Sequence, residues 1–298
     1  MTSQLSNPPL ARDSGVRLVR AKAELRDALA EARRAGRSIG LVPTMGFLHE
    51  GHLSLLAAAR AECDVVVMSL FVNPTQFGPS EDLDRYPRDE ERDLRLAAGA
   101  GVDYVYAPPV DEVYPQGFAT AVEVDARLTE ILDGDPGRRG PEHFRGVATV
   151  VAKLFNSVGP DVAYFGQKDA QQAAVIRQMA RDLDFPVRIE VLPTVREPDG
   201  LAMSSRNAYL DPDDRRRAAA LSRALRLAEE LARTESLAAG LEAARRELEE
   251  VGIEPEYLEA RDADELTPVA ELNGRPVLVA VAAQVGRARL IDNVLIRP

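Results

Sequence analysis

The sequence predicts an α/β protein: a doubly wound parallel sheet followed by a smaller α+β unit. Three observations carry this reading. Short β-branched runs alternate with helical stretches from about residue 37 to residue 191. Polar motifs recur directly after the predicted strands, where open parallel sheets place their ligands. After Pro193 the alternation gives way to two long Ala/Leu/Arg/Glu stretches and three further strand-like runs.

The first strand is predicted over 38–44 and the first helix over 53–61, with residues 46–51 forming the loop and first turn between them. Strands over 64–72, 103–107, 161–165 and 187–191, and helices over 89–100, 147–157 and 170–183, complete the alternation. Asp211-Pro212-Asp213-Asp214 is a helix start, with aspartate as N-cap and proline at the first helical position. Helices over 213–233 and 236–251 follow, then strands over 256–260, 276–283 and 287–296. The charges of the two helices read as solvated faces of amphipathic segments. A length of 298 residues accommodates two domains, expected over 1–192 and 193–298.

Lysine and arginine number 37 against 48 acidic residues, a net charge of −11, which argues against a broad nucleic-acid surface. A bound phosphate therefore needs a local cluster of donors. No apolar run approaches a membrane span, and the first twenty residues lack the order of a signal peptide, so a cytoplasmic location is expected. The single cysteine, Cys63, beside Val65-Val66-Val67, reads as core filler.

His49-Glu50-Gly51-His52 is the most informative segment. It places two imidazoles where a strand hands over to a helix, a site for nucleotide phosphates. Histidines three apart share a helical face and can both donate to a phosphoryl oxygen as charge builds on it. Loop N–H groups would face the anion, and Gly51 would let a ribose or base lie close. An isolated match of this kind is balanced by a surface turn with incidental histidines, but the whole chain has only three. A zinc site is a poorer reading, because the spacing is not i,i+4 and Cys63 and His143 stand at no recognisable interval.

Three further motifs carry polar chemistry. Gly166-Gln167-Lys168-Asp169 with Gln171-Gln172 ends a strand and opens a helix, placing Lys168 on a phosphate and Gln172 toward a substrate hydroxyl or carboxylate. Asn73-Pro74-Thr75-Gln76-Phe77 is a polar loop in which turn chemistry accounts for Asn73 but not for Gln76. Met203-Ser204-Ser205-Arg206 offers two hydroxyls and a guanidinium suited to a triphosphate. Each alone reads as an ordinary loop; together with the histidine pair they supply donors for a nucleotidyl-transfer site.

These motifs, in order Pro43 to His52, Phe71 to Phe77, His143-Phe144-Arg145-Gly146-Val147, Tyr164 to Gln172, and Pro193 to Arg196 through Met203 to Asn207, resemble the pantothenate synthetase (pantoate–β-alanine ligase) family. The resemblance runs from about residue 19 to 296. It implies the HIGH-type nucleotidylyl transferase fold, a Rossmann-like ATP-binding domain with a smaller C-terminal domain over the site. It further implies a cytosolic homodimer that requires Mg2+ and condenses pantoate with β-alanine through a pantoyl-adenylate, releasing AMP and pyrophosphate.

Residue by residue, the resemblance implies that Met45, Gly46, Phe47, Leu48, His49, Glu50, Gly51 and His52 contact ATP, with His52 the catalytic proton donor. Gly166, Gln167, Lys168 and Asp169, then Val195, then Met203, Ser204, Ser205 and Arg206 complete the nucleotide site. Gln76 and Gln172 hold pantoate, and Gln76 also borders β-alanine. The family pattern differs at Thr75, Gln167 and Ala170, and three residues before His143 stands Gly140, with Arg139 one earlier and unassigned. Asp89, Glu91 and Asp93 are either magnesium ligands or, preferably, a solvated helix face, so the metal's protein ligands stay open. Two other readings are a nucleotidylyltransferase that leaves AMP on its product and a nucleotide-binding regulator without chemistry. Free AMP as a product separates the first, and turnover of ATP with pantoate the second.

Overall fold

The computed structural model describes residues 15–78 and 83–298. Its larger sheet has six parallel strands in the order β1-β4-β3-β2-β5-β6. These are β1 (Arg17–Val19), β2 (Ile39–Thr44), β3 (Val65–Leu70), β4 (Tyr104–Tyr106), β5 (Val162–Gly166) and β6 (Arg188–Leu192). Between them run α1 (Lys22–Arg34), α2 (Glu50–Glu62), α3 (Glu90–Gly99), α4 (Val110–Val113), α5 (Ala126–Thr129), α6 (Pro141–Val158) and α7 (Ala170–Asp182).

The near-continuous apolar strands follow from burial on both faces. Ile39, Leu41, Val65, Val67, Ala163 and Phe165 point into a core shared with α1, α6 and α7. Their alternates Val42, Val66, Met68, Val162 and Tyr164 point into a second core under α2 and α3. Cys63 is buried in that second core, as read from the sequence.

A second sheet, β7 (Pro255–Asp262), β8 (Val277–Val285) and β9 (Ala288–Ile296), is antiparallel. The helices α8 (Pro212–Thr234) and α9 (Leu237–Glu250) cover one side of it. Asp211 caps α8 by accepting from the N–H groups of Asp213 and Asp214, with Pro212 first in the helix, as its sequence predicts. Strand β8 shows why this sheet matters. Val277, Val279, Val281, Ala283 and Val285 pack toward α8 and α9, whereas Leu278, Ala280 and Ala282 join the core of the parallel sheet. The small sheet thus roofs the carboxyl end of the large one.

The predicted class holds, with differences at particular elements. Sequence periodicity finds no element before residue 37, where β1 and α1 lie; a three-residue strand is too short to show alternation. Helix α6 begins six residues ahead of the predicted 147, at Pro141 behind Gly140 with φ +79°, a helix-start signal the apolar pattern alone does not reveal. Among the described residues no helix is long and apolar enough to cross a membrane.

Candidate active site

Strand order reverses between β2 and β5: β3 and β4 extend the sheet on one side, β6 on the other. A cleft of about 240 Å³ opens at the carboxyl ends of these two strands, the place where an open α/β sheet accommodates a ligand. Met45, His49, Gly51 and His52 line it from β2, Asn73 and Gln76 from β3, and Gly166, Lys168, Asp169 and Gln172 from β5. Val195, Met203, Ser204, Ser205 and Arg206 line it from the segment beyond β6, and Leu278, Ala280, Asp292 and Asn293 from the roof.

His49 is the N-cap of α2, and the two imidazoles close a reciprocal capping box. His49 Nδ1 accepts from Gly51 N–H at 3.2 Å, and His52 Nδ1 accepts from His49 N–H at 3.3 Å. With each Nδ1 an acceptor, each neutral ring carries its proton on Nε2, so both present a donor. The ring centroids lie 4.0 Å apart. Burial, reinforced by the Lys168 ammonium, lowers His49 to about 4. Burial, then His49 and Lys168, lowers His52 to about 3. Both are uncharged at neutral pH. A Cβ on Gly51 would lie 2.9 Å from His49 Nδ1 and Cε1, so this glycine makes room for the cap's own ring.

The loop ahead of the helix is held from below. Asp93, on α3, is 1% exposed and accepts Phe47 N–H at 2.7 Å and Leu48 N–H at 2.8 Å. Burial raises its carboxyl, against the pull of those two N–H groups. Phe47 has φ +51° and Gly46 φ +88°; a Cβ on Gly46 would meet Leu70 Cδ1 at 2.7 Å and Asp93 Oδ2 at 2.9 Å. Asp93 is therefore neither part of a solvated face nor free to ligate a metal, which corrects both readings of that residue. The expectation of free loop amides is corrected as well: Phe47, Leu48, His49 and Gly51 all spend their N–H groups internally, leaving imidazole N–H groups to meet an anion.

The β3 turn is fixed by α6. Asn73, 1% exposed, donates Nδ2 to Gln76 Oε1 and to Gly146 O, both at 3.1 Å. Its Oδ1 accepts from Tyr114 and Thr75 hydroxyls at 2.8 and 2.9 Å. Gln76 is left with its Nε2 donor, now 3.0 Å from Met45 Sδ. A Cβ on Gly146 would fall 2.3 Å from Thr75 O, so glycine there permits helix and turn to touch. His143 donates Nδ1–H to Gln76 O at 2.7 Å, and Arg139 donates to His143 Nε2 at 3.2 Å. Arg139, which the sequence left unassigned, lines the cleft.

The adjacent glutamines at the start of α7 separate cleanly. Gln171 is buried, accepting from Asp133 N–H and donating to Leu128 and Ile131 carbonyls, whereas Gln172 lines the cleft. Lys168 Nζ stands 3.6 Å from Asp169 Oδ1. Ser204 caps the following turn through Arg206 N–H at 3.2 Å, and the Arg206 guanidinium lies 6.0 Å from the Tyr86 ring centroid.

The structure thus gathers His49, His52, Gln76, Lys168, Gln172, Ser204, Ser205 and Arg206 around one cleft, although they span more than 150 positions in sequence. Gly46, Phe47, Leu48, Glu50 and Gln167 are not among its lining residues; the first three build the loop beneath it. Sequence reasoning missed the structural service of Asp93 and the roof residues Asp292 and Asn293. A lone Asp-Asn pair in a late strand carries no signal of contact with residue 167.

A family model described as pantoate-beta-alanine ligase matches residues 17–295. The chain is similar to the pantothenate synthetase of Moorella thermoacetica, 57% identical over 284 residues that cover 94% of this chain and 98% of the relative. It is 54% identical over 277 residues to that of Pelotomaculum thermopropionicum, covering 92% and 96%. The crystal structure of pantothenate synthetase from Thermus thermophilus superposes with a TM-score of 0.88 at 49% identity, covering 95% of this chain and all 100% of the other. That of pantoate-beta-alanine ligase from Francisella tularensis, complexed with beta-gamma ATP and beta-alanine, superposes with a TM-score of 0.79 at 33% identity, covering 94% and 97%.

Proposed function

The chain belongs to the pantoate–β-alanine ligase family, and from that premise we propose how its cleft performs the ligation. The enzyme joins pantoate to β-alanine. A carboxylate is a poor acyl donor, so it must be activated before an amine can displace its oxygen. In the proposed first step the pantoate carboxylate attacks the α-phosphorus of ATP and pyrophosphate leaves. In the second the β-alanine amine attacks the acyl carbon of pantoyl-adenylate, and AMP leaves with pantothenate formed. ATP as the activating substrate is supported by the Francisella relative, which is complexed with beta-gamma ATP.

The observation that carries this reading is the convergence of both histidines, Lys168 and Ser204-Ser205-Arg206 on one cleft at the switch point of the sheet. His49 and His52 donate Nε2–H to the phosphoryl oxygens, and Lys168, Ser204, Ser205 and Arg206 take charge developing on the leaving pyrophosphate. Met45, Gly51, Gly166, Asp169, Val195 and Met203 frame the nucleotide. Gln76, its oxygen occupied by Asn73, offers Nε2 to pantoate, and Gln172 holds it from the start of α7, with β-alanine bordering Gln76. No enzyme nucleophile is needed.

Magnesium belongs to the same proposal. Among the described residues no group of three or more His, Cys, Asp or Glu side chains can hold a metal. The ion would then rest mainly on the nucleotide's phosphates, and Asp169, a carboxylate that lines the cleft, would be the protein group to help hold it. Bound there it would neutralise phosphate charge. A homodimer, a cytoplasmic location and a division into 1–192 and 193–298 complete the reading.

Enzyme, ATP, magnesium and pantoate without β-alanine should exchange labelled pyrophosphate into ATP. With 18O in the pantoate carboxylate, adding β-alanine should move one label into AMP, because the bridging oxygen leaves with phosphorus. Exchange without pantoate, or ADP as the nucleotide product, would overturn the sequence of steps. Substitution Gln172→Ala should weaken pantoate binding by about 1–3 kcal/mol by leaving a polar partner unpaired, with ATP binding little changed. Calorimetry giving the reverse pattern would reject the division between pantoate and phosphate ligands.

A further inference from the structure

We infer that Asn293, on the last strand of the roof, is a positioning residue for Lys168. The inference rests on the reading that Lys168 meets the nucleotide's phosphates. Lys168 sits in the short turn Gln167–Asp169 between β5 and α7, and neither that turn nor α7 has a side-chain cap of its own. The fixing contact comes from β9 instead. Asn293, 5% exposed, donates Nδ2 to the carbonyls of Gln167 and Lys168, each at 2.9 Å. Its Oδ1 accepts from Gln167 Nε2 at 3.1 Å.

Only a carboxamide of this length satisfies that arrangement, since two carbonyls require donors while the Gln167 amide requires an acceptor. A carboxylate would set negative oxygens against two carbonyls. The neighbouring residue extends the clasp. Asp292, 2% exposed, accepts from Arg196 at 2.6 and 3.0 Å and from Asn293 N–H at 2.7 Å. Arg196 pairs with Ala202 and donates to Gly200 O at 3.1 Å, in the turn that runs on into Met203-Ser204-Ser205-Arg206. Two consecutive residues of one strand therefore hold both loops from which anion donors project. The Lys168 side chain, 19% exposed and with Nζ 3.6 Å from Asp169 Oδ1, has little room to compensate for a shift of the backbone that carries it.

The test is a double-mutant cycle in the full chain, read by pantoate-dependent exchange of labelled pyrophosphate into ATP. Asn293→Ala should lower the saturating rate by about 10–100-fold, the usual effect of a displacement near 1 Å, with the pantoate KM unchanged. In a Lys168→Ala background, itself impaired, the same substitution should cost less than about twofold more, because coupled residues are not additive. Asn293→Asp, which preserves volume, should be at least as impaired as Asn293→Ala and carries the cycle if the alanine variant fails to fold. Wild-type exchange in Asn293→Asp, or an equal loss with and without Lys168, overturns the inference while leaving the phosphate role of Lys168 intact. Wild-type exchange in Lys168→Ala overturns that role, and the inference with it.

Discussion

His52→Ala should slow formation of the adenylate by roughly two to three powers of ten, the cost of removing one preorganised donor from a developing charge. The structure sharpens what is lost. Burial holds His52 at about 3 and His49 at about 4, so neither is an imidazolium at neutral pH. Each acts as a neutral N–H donor with its tautomer fixed by a backbone N–H at the other nitrogen. In the free enzyme, 15N spectra should therefore show both rings neutral and protonated on Nε2 from pH 8 down to pH 6. A second consequence concerns stability. Because the folded histidines titrate below the unfolded value near 6.5, the unfolded chain binds more protons in between, and stability falls as pH drops from about 6.5 toward about 4 for His49 and about 3 for His52. His52→Gln, which keeps a donor near the Nε2 position, should recover part of the rate. Single-turnover adenylation in His52→Ala at the wild-type rate would remove His52 from the chemistry.

The large-scale plan was legible because it is written in local patterns. Strands covered on both faces are continuous apolar runs, and β2, β3 and β5 stand out for that reason. Polar residues that line the cleft recur after those strands, so order along the chain pointed to His49, Gln76, Lys168 and Gln172, while their separate roles came from the family resemblance. What sequence could not show is which polar side chain serves the fold and which the site. Gln171 and Gln172 are chemically identical and adjacent, yet the helix turns one toward the Leu128 and Ile131 carbonyls and the other toward the cleft. Arg139 stayed unassigned and Asn293 unnoticed for a related reason, since their partners are set by tertiary contact. The beginning of α6 was missed because its signal is backbone chemistry, a positive-φ glycine before proline, rather than apolar spacing.

Asp93 carries the same lesson into a measurable effect. From sequence it is one acidic residue among several on a helix, either solvated or available to magnesium; in the fold both its oxygens are occupied by the amides of Phe47 and Leu48. Asp93→Ala leaves the buried Leu48 N–H and the part-buried Phe47 N–H without acceptors, so the protein should lose at least the roughly 1–3 kcal/mol of one unsatisfied buried group. Activity should fall further than stability alone explains. The freed amides belong to the loop in which Phe47 holds φ +51°, directly before the His49 cap. Displacement of the cap by about 1 Å would cost adenylation on the order of 10²-fold, with pantoate affinity unchanged because Gln76 and Gln172 stand on other elements. Asp93→Asn can serve one amide but presents NH2 to the other, so it should fall between wild type and alanine in both properties. A magnesium ligand would behave differently: its loss would raise the metal concentration needed for exchange and leave thermal unfolding of the free enzyme untouched. Full exchange restored to Asp93→Asn by excess magnesium, with no change in unfolding, would return Asp93 to the metal and take the loop staple away.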